Sequence, residues 1–322
     1  MKHTNLKINL IFFCLILHQF EAKSWGFFAH QLINEKAVFC LPPEIFPFYK
    51  KHISYIKEHA VDPDKRRYIV AEEAVRHFID LDYYEKISPI DTMPWSFKAA
   101  CEKYTKDTIN AYGIVPWHIQ TMLNRLSDAF KNKHEALILK YSSELGHYVA
   151  DAHVPLHNTM NYNGQMTEQH GIHGFFETRL PELFSYQYDL MIDRAVYLDH
   201  PLNFIWTGIE QGFLALDSVF RFDKHLRLTI PESKKMSFEQ RGTQQVKVWS
   251  FEYAMAYHRL LNSLVERRMR ASIYAVSCFW YTAWVNGGQP DLMNLNSKMI
   301  TNSNDSISNS IYNGRMIGRS EE

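Results

Sequence analysis

Apolar residues along most of this chain recur at intervals of three and four, the period of a helix with one buried face. From Gln120 to Phe130 they fall at Met122, Leu123, Leu126 and Phe130, and from Ala136 to Ala152 at Leu137, Leu139, Leu145 and Val149. Both stretches are expected to be core helices. A longer helix, with room for one break, is expected from about Phe238 to Val285. It stops at Asn286-Gly287-Gly288, where glycine accepts the left-handed conformation of a C-cap, and Pro290 reinforces the stop. Strand-like alternation is sparse between Trp25 and Gly288 and no internal repeat appears. The expected fold is therefore all-α, a single mostly helical domain over residues 25–288. Residues 289–322 pass into an Asn/Ser-rich stretch around Asn302-Ser303-Asn304-Asp305-Ser306 and are expected to form a disordered tail.

The first 24 residues break this pattern. Lys2 and Lys7 precede a short apolar run from Ile11 to Leu17, and Ala22-Lys23-Ser24 places small residues where a signal peptidase reads them. A membrane anchor needs about 18 or more apolar residues, and His18, Gln19 and Glu21 end this run too early. The segment reads as a signal peptide cut before Trp25, which makes the protein secreted or periplasmic. A second apolar stretch, Ala271 to Val285, carries Ser272, Ser277 and Thr282 and reads as a buried helix, so no transmembrane anchor is expected.

Composition narrows the function. The full chain carries 35 Lys+Arg against 35 Asp+Glu; removal of Lys2, Lys7, Lys23 and Glu21 leaves 32 basic and 34 acidic residues, so no stable grip on duplex nucleic acid is expected. Three cysteines remain, Cys40, Cys101 and Cys278, too few for a disulfide framework and enough for one bridge or none. No Gly-x-Ser-x-Gly elbow, Walker loop or dinucleotide fingerprint is present. Histidine is in surplus, at 16 residues, and imidazole is the commonest metal ligand.

The histidines that matter are set apart by spacing. In Glu144-Leu-Gly-His147-Tyr-Val-Ala-Asp151-Ala-His153-Val-Pro-Leu-His157, His147 and Asp151 stand four apart, on one face of a helix. His173 and Glu177 repeat that spacing. One such pair reads as well as a helical ion pair on a solvated face; two pairs flanking Pro155 and His157 favour N and O ligation of zinc. His52, His59, His118, His134, His200, His225 and His258 lack such partners and read as surface or core residues, with His153 and His170 as possible supports to the ligands. Tyr162 and Phe176 read as packing residues that can also line a cleft.

Taken in order, Trp25-Gly-Phe-Phe-Ala-His30, Arg76-His77-Phe-Ile-Asp80, the His147 to His157 segment and His173 to Glu177 resemble the trinuclear-zinc superfamily of bacterial phospholipase C and fungal single-strand-specific nucleases. The resemblance covers about 150 residues, from Trp25 to Glu177. It implies three Zn2+ ions. The first would be held by Asp62, His77, His147 and Asp151; the second by His157, His173 and Glu177; the third by Trp25, through its free amino group and carbonyl, with His30 and the shared Asp151. Such an amine ligates only after cleavage before Trp25, which gives the processing a chemical purpose. Asp62-Pro63-Asp64 offers two carboxylates. Asp62 is preferred on its interval to His77, with a further role in orienting the nucleophile, and Asp64 is the alternative; the helical reading of Asp62 is an N-cap before Pro63.

The resemblance further implies a zinc-dependent phosphoric ester hydrolase, a phosphodiesterase or phosphomonoesterase in which a zinc-activated water attacks phosphorus. Its two branches are mixed in this chain. The five-residue gap from Trp25 to His30 follows the nuclease pattern, whereas Glu177 and the short Asn161-Tyr-Asn-Gly-Gln165 loop look more like the phospholipases. Lys65 stands three residues after Asp62, where the nuclease branch has an arginine, and Arg66 and Arg67 are the substitutes at hand. The preferred substrate is single-stranded nucleic acid or a nucleotide, in a nuclease or 3'-nucleotidase. A phospholipid headgroup in a phospholipase C is the alternative, and a non-catalytic zinc-binding exported protein is the reading from another class. A monomer is expected. N-terminal sequencing of the protein collected outside the producing cell should begin at Trp25; a start at Met1 contradicts the processing expectation.

Overall fold

The computed structural model of the chain describes residues 26–84, 89–293 and 295. The expected signal peptide, Trp25 and all of the tail past Met293 except Leu295 lie outside them. Its long elements follow the order α1 (Phe27–Val38), α2 (Val115–Lys131), α3 (Glu135–Asp151), α4 (Pro201–Leu214), α5 (Leu216–Thr229), β1 (Met236–Arg241), β2 (Gln244–Trp249), α6 (Phe251–Leu260) and α7 (Leu264–Asn286). Short helical turns fill the connections. The architecture is helical, as the hydrophobic spacing predicts. No helix among the described residues is long and apolar enough to cross a membrane, and Cys40, Cys101 and Cys278 are free thiols.

α1, α2, α3 and α7 pack on one another around a common core. Ile33 and Val38 of α1, Leu126 and Phe130 of α2, Ile138, Leu145 and Val149 of α3, and Ile273, Val276 and Trp280 of α7 are all buried there. α2 starts with Pro116 in its first turn, where a missing N–H costs nothing. Only Asn132, Lys133 and His134 join it to α3, with Lys133 at φ 54° turning the chain back.

α3 is unlike its neighbours, because every residue from Ser142 to Asp151 is buried. A helix with no wet face must pair its polar groups internally. Ser142 Oγ bonds Tyr49 OH at 2.8 Å, the Ser142 carbonyl accepts from Trp280 Nε1 at 2.9 Å, and Arg66 Nη1 donates to Glu144 Oε1 at 2.6 Å. Tyr49 stacks on Trp280 with ring centres 4.9 Å apart. This central helix carries His147 and Asp151 into the interior.

The region from Phe238 onward departs from expectation. Residues 236–249 form an antiparallel hairpin, with Phe238 opposite Lys247 and Glu239 opposite Val246. Gln245-Val-Lys-Val-Trp249 alternates with period two, and Gly242 at φ +60° supplies the turn. Five residues of alternation were too few to stand out beside the helical run that follows. The hairpin is anchored by Arg179, whose Nε donates to the Trp249 carbonyl at 3.2 Å and whose Nη1 donates to Glu239 at 3.0 Å. α7 ends at Asn286, and Gly288 takes φ +86°. The chain stays attached past that point: Trp284 Nε1 donates to the Pro290 carbonyl at 3.0 Å and Leu292 is buried in the core.

α1 reaches α3 closely because residue 146 lacks a side chain. A Cβ on Gly146 would stand 2.2 Å from Asn34 Oδ1, and Asn34 Nδ2 is already committed to the Ser143 carbonyl at 3.1 Å. Gly146→Ala is expected to cost about 1–3 kcal/mol by overpacking, read as a lower urea midpoint at unchanged slope. An unchanged midpoint contradicts this account of the contact.

Candidate metal centre

Seven local features converge at the inner end of α3. α1 carries His30, the turn Asp62–Arg66 carries Asp64, and the 3₁₀ turn Ala74–Arg76 leads directly into His77. The last turn of α3 brings His147 and Asp151, and the 3₁₀ turn Pro155–Asn158 brings His157. His173 lies in Ile172–Gly174, and Glu177 lies in the π-turn Phe175–Arg179 that follows; single π-turns recur at functional sites. Gly171 at φ +83° opens that segment, and Asn163 Oδ1 accepts the N–H groups of Gly171 at 3.0 Å and His173 at 3.4 Å. Buried side-chain amides thus hold the loop as secondary structure would.

The side chains assemble into three adjoining groups whose ligand-type atoms lie within 4.8 Å of one another: His30, His147 and Asp151; Asp64, His77 and His147; and His157, His173 and Glu177. All are buried. Asp151 is the hub. Its Oδ1 lies 3.2 Å from His30 Nε2, and its Oδ2 lies 2.9 Å from His77 Nδ1 and 3.2 Å from His147 Nε2. Asp64 Oδ1 stands 3.6 Å from His147 Nε2 and 3.8 Å from His77 Nδ1. Glu177 lies 2.8 Å from His173 Nε2 and 3.5 Å from His157 Nε2.

Backbone carbonyls set the direction of three rings. His147 Nδ1 donates to Ala60 O at 2.8 Å, His157 Nδ1 to His77 O at 2.6 Å, and His173 Nδ1 to Tyr162 O at 3.1 Å. Each bond puts the Nδ1 proton outward and leaves Nε2 facing the carboxylates, the orientation that metal-ligating histidines are given by their outer partners. His30 stacks on His147 with ring centres 3.9 Å apart, which fixes both planes.

The electrostatics call for a cation. Burial alone would raise the Asp151 carboxyl, but His147 and His157 beside it hold it well below the usual carboxylate range. Burial likewise opposes charge on His157, yet Asp151 and Glu177 prevail and push it up to about 9. In the bare chain a proton on His157 thus supplies positive charge that a metal ion would replace. His30 and His147 are held below the ordinary value by burial, which favours the neutral, ligating form. His173 Nε2 and both Glu177 oxygens make no hydrogen bond among the described residues. His173 Nε2 and Glu177 stand 2.8 Å apart, close enough for one bound atom to be reached by both. The set offers imidazole nitrogens and carboxylates with no thiolate, which fits zinc at N/O sites.

Of the two carboxylates in Asp62-Pro63-Asp64, Asp62 lies outside the three groups and Asp64 inside one of them. Asp62 points outward, where His59 Nδ1 donates to it at 2.5 Å and Lys65 Nζ at 2.9 Å. Asp64, two residues on along the same turn, is the carboxylate that turns inward, 2% exposed. Within one turn the two side chains leave the helix about 200° apart at 3.6 residues per turn, so only one can face the cluster. His30, His77, His147, Asp151, His157, His173 and Glu177 all lie in the groups, and Trp25 lies outside the described residues. His153 is a packing residue: its Nδ1 donates to Val149 O at 2.7 Å, and burial beside Arg268 pushes it down to about 3. Phe176 is fully buried, His170 is exposed, and Tyr162 meets the site through its carbonyl to His173. Arg67 is buried with Nη1 3.8 Å from Asp64.

One participant has no counterpart in the expectations. Glu73 is fully buried, with Oε1 3.6 Å from His77 Nε2. Glu73 and His77 are four residues apart, so the spacing rule that singled out His147 and Asp151 would have found them.

Among solved structures the chain is similar to an alpha-toxin of Clostridium perfringens isolated from an avian strain, with a TM-score of 0.45, 14% identity, 81% of this chain covered and 64% of that one. It is also similar to the alpha toxin of Clostridium absonum, with a TM-score of 0.46, 11% identity and coverage of 84% and 65%. The chain therefore spans less than two thirds of the length of either. No protein-family model and no curated protein matches it.

Proposed function

We propose that the chain is an exported zinc-dependent hydrolase of phosphoric esters, with nucleotides or single-stranded nucleic acid as its substrate class. The observation that carries the reading is the convergence of five histidines and three carboxylates, with Nε2 of His147, His157 and His173 turned inward by carbonyls. In this reading Asp64, His77, His147 and Asp151 hold one ion and His157, His173 and Glu177 a second. His30 and Asp151, joined by the amino terminus of Trp25 after processing, hold the third. Bound there, zinc supplies Lewis acidity, lowering the pKa of a water toward neutrality and drawing charge from a phosphoryl oxygen.

The chain's own residues supply the rest. Asp64 accepts a hydrogen bond from the attacking water and orients it, the role expected of Asp62. Arg67 places a guanidinium beside Asp64, with planar N–H donors suited to phosphate oxygens. It also bears on the substrate. The nuclease branch of the resembled superfamily has an arginine three residues after this carboxylate; counting from Asp64 rather than Asp62, that residue is Arg67. Together with the five-residue interval from Trp25 to His30, this supports the nucleotide reading over the phospholipid one.

Initial rates on single-stranded DNA, a 3'-nucleotide and phosphatidylcholine, with zinc supplied, test the proposal. Turnover of the first two is expected. Turnover of phosphatidylcholine alone transfers the reading to phospholipase C, and no hydrolysis of any phosphoester removes the enzyme reading. Asp64→Asn is expected to lose at least the roughly 10–100-fold in activity that outer partners of a metal are worth. Asp62→Asn, which removes only a partly exposed ion pair, should leave the rate within about twofold of the native protein. Equal losses in the two variants contradict the assignment of Asp64.

A further inference from the structure

The hairpin at 236–249 has no fully buried residue in either strand, and a lone two-stranded hairpin is marginal in water. It is nevertheless docked on the segment that carries His173 and Glu177. Arg179, 6% exposed, spreads its guanidinium over both strands. Its Nε donates to the Trp249 carbonyl at 3.2 Å, its Nη1 to Glu239 at 3.0 Å, and its Nη2 to the other Glu239 oxygen. Such a fork fixes direction as well as distance. A second ion pair, from Arg241 Nη2 to Glu182 at 2.8 Å, ties the hairpin to the turn Leu180–Phe184 further along.

Arg179 is also the last residue of the π-turn that presents Glu177. The Leu180 N–H closes that turn on the carbonyl of Phe175, its first residue. The Phe175 ring lies 5.0 Å from Trp249 and 5.1 Å from Tyr257, so aromatic packing holds one end of the turn and the hairpin holds the other. Trp249 also takes the Arg227 guanidinium over its ring at 4.8 Å, and Arg227 donates to the His170 carbonyl at 3.1 Å, three residues before His173. Between these anchors Glu177 is fully buried, and neither of its oxygens has a hydrogen-bond partner among the described residues. Carbonyls aim the rings of His157 and His173; the Glu177 carboxylate takes its direction from the backbone that bears it.

We infer that Arg179 is a positioning residue that couples the hairpin to the group His157, His173 and Glu177: the docked hairpin holds the π-turn so that Glu177 faces the two histidines, and a cation held by that group steadies the hairpin in return. The inference rests on the zinc reading above. Arg179 touches neither ion nor substrate and acts through the turn. Coupling of this kind is reciprocal, because a link between two equilibria shifts both by the same factor. If Arg179 only fastened the hairpin, its loss would loosen 236–249 with or without metal and leave every metal affinity unchanged.

The experiment compares native protein with Arg179→Met, Glu239→Gln and Arg241→Met. Arg179→Met keeps the apolar stem, removes the fork and leaves Glu239 where water reaches it. Glu239→Gln removes one charge and keeps the bond from Arg179 to the Trp249 carbonyl. Arg241→Met cuts the other hairpin ion pair and leaves the π-turn alone. ¹¹³Cd spectra of cadmium-loaded protein report each metal group separately, with the resonance of the Glu177 group assigned by its loss in Glu177→Gln. Zinc titration reports affinity, and hydrogen exchange over 175–179 and 236–249, with and without zinc, reports docking. Arg179→Met is expected to shift that one resonance and to weaken one zinc site by about tenfold, the low end of what outer supports of a ligand are worth. It should also abolish the protection that zinc confers on 236–249 in the native protein. Glu239→Gln should move each readout less and in the same direction, and Arg241→Met should leave all affinities within about twofold of native, as an exposed pair does. A native cadmium spectrum and native affinity in Arg179→Met overturn the inference, as do equal losses at every group or an equal loss in Arg241→Met. If native protein takes up no metal, the functional reading fails and exchange in the metal-free protein decides the role of Arg179. Faster exchange at 175–179 in Arg179→Met upholds the link to the turn; faster exchange confined to 236–249 overturns it.

Discussion

Asp151 is a carboxylate shut away from water at the C-terminal end of α3. Both circumstances work against it. Burial of an unpaired charge is among the costliest events in folding, and the C-terminal end of a helix carries partial negative charge of its own. The structure holds it there by surrounding it with imidazole nitrogens of His30, His77 and His147 at 2.9–3.2 Å. Asp64 and Glu177 repeat the arrangement nearby, so the interior of this helical protein contains a region that requires positive charge.

Much of the fold follows from meeting that requirement. α3 is central because His147 and Asp151 must be approached from several sides at once. α1 lies against it through Gly146 and delivers His30. The connections carrying Asp64, His77, His157 and His173 are short turns rather than long helices, since each must deliver one side chain to one place and then leave. Their polar backbone is satisfied by buried amides such as Asn163 and by the histidines themselves, whose Nδ1 protons cap the carbonyls of Ala60, His77 and Tyr162. The same bonds that stabilise the turns aim the rings, so local folding and site geometry are one set of contacts.

The sequence made the helical scaffold and most of the cluster legible for a physical reason: helical periodicity and four-residue ligand spacing are local properties. The stretches around Met122 to Phe130 and Leu137 to Val149 are helices somewhat longer than their apolar residues mark, because Pro116 and His134 start them earlier. Where local signals compete, the reading fails. The hairpin at 236–249 carries a short alternation beside a long helical run. In Asp62-Pro63-Asp64 both carboxylates suit a helix start, and only the packing of that turn against α3 decides which faces inward. Glu73 was legible by spacing, but its partners Arg66, Arg76 and Tyr148 come together only in three dimensions.

The function of this buried region turns on whether metal occupies it. Crystals of the processed protein, with diffraction recorded on both sides of the zinc absorption edge, test it directly. Three anomalous peaks are expected: between Asp64, His77 and His147; beside His30 and Asp151; and between His157, His173 and Glu177. Anomalous density absent from all three places, in protein purified without chelator, contradicts it.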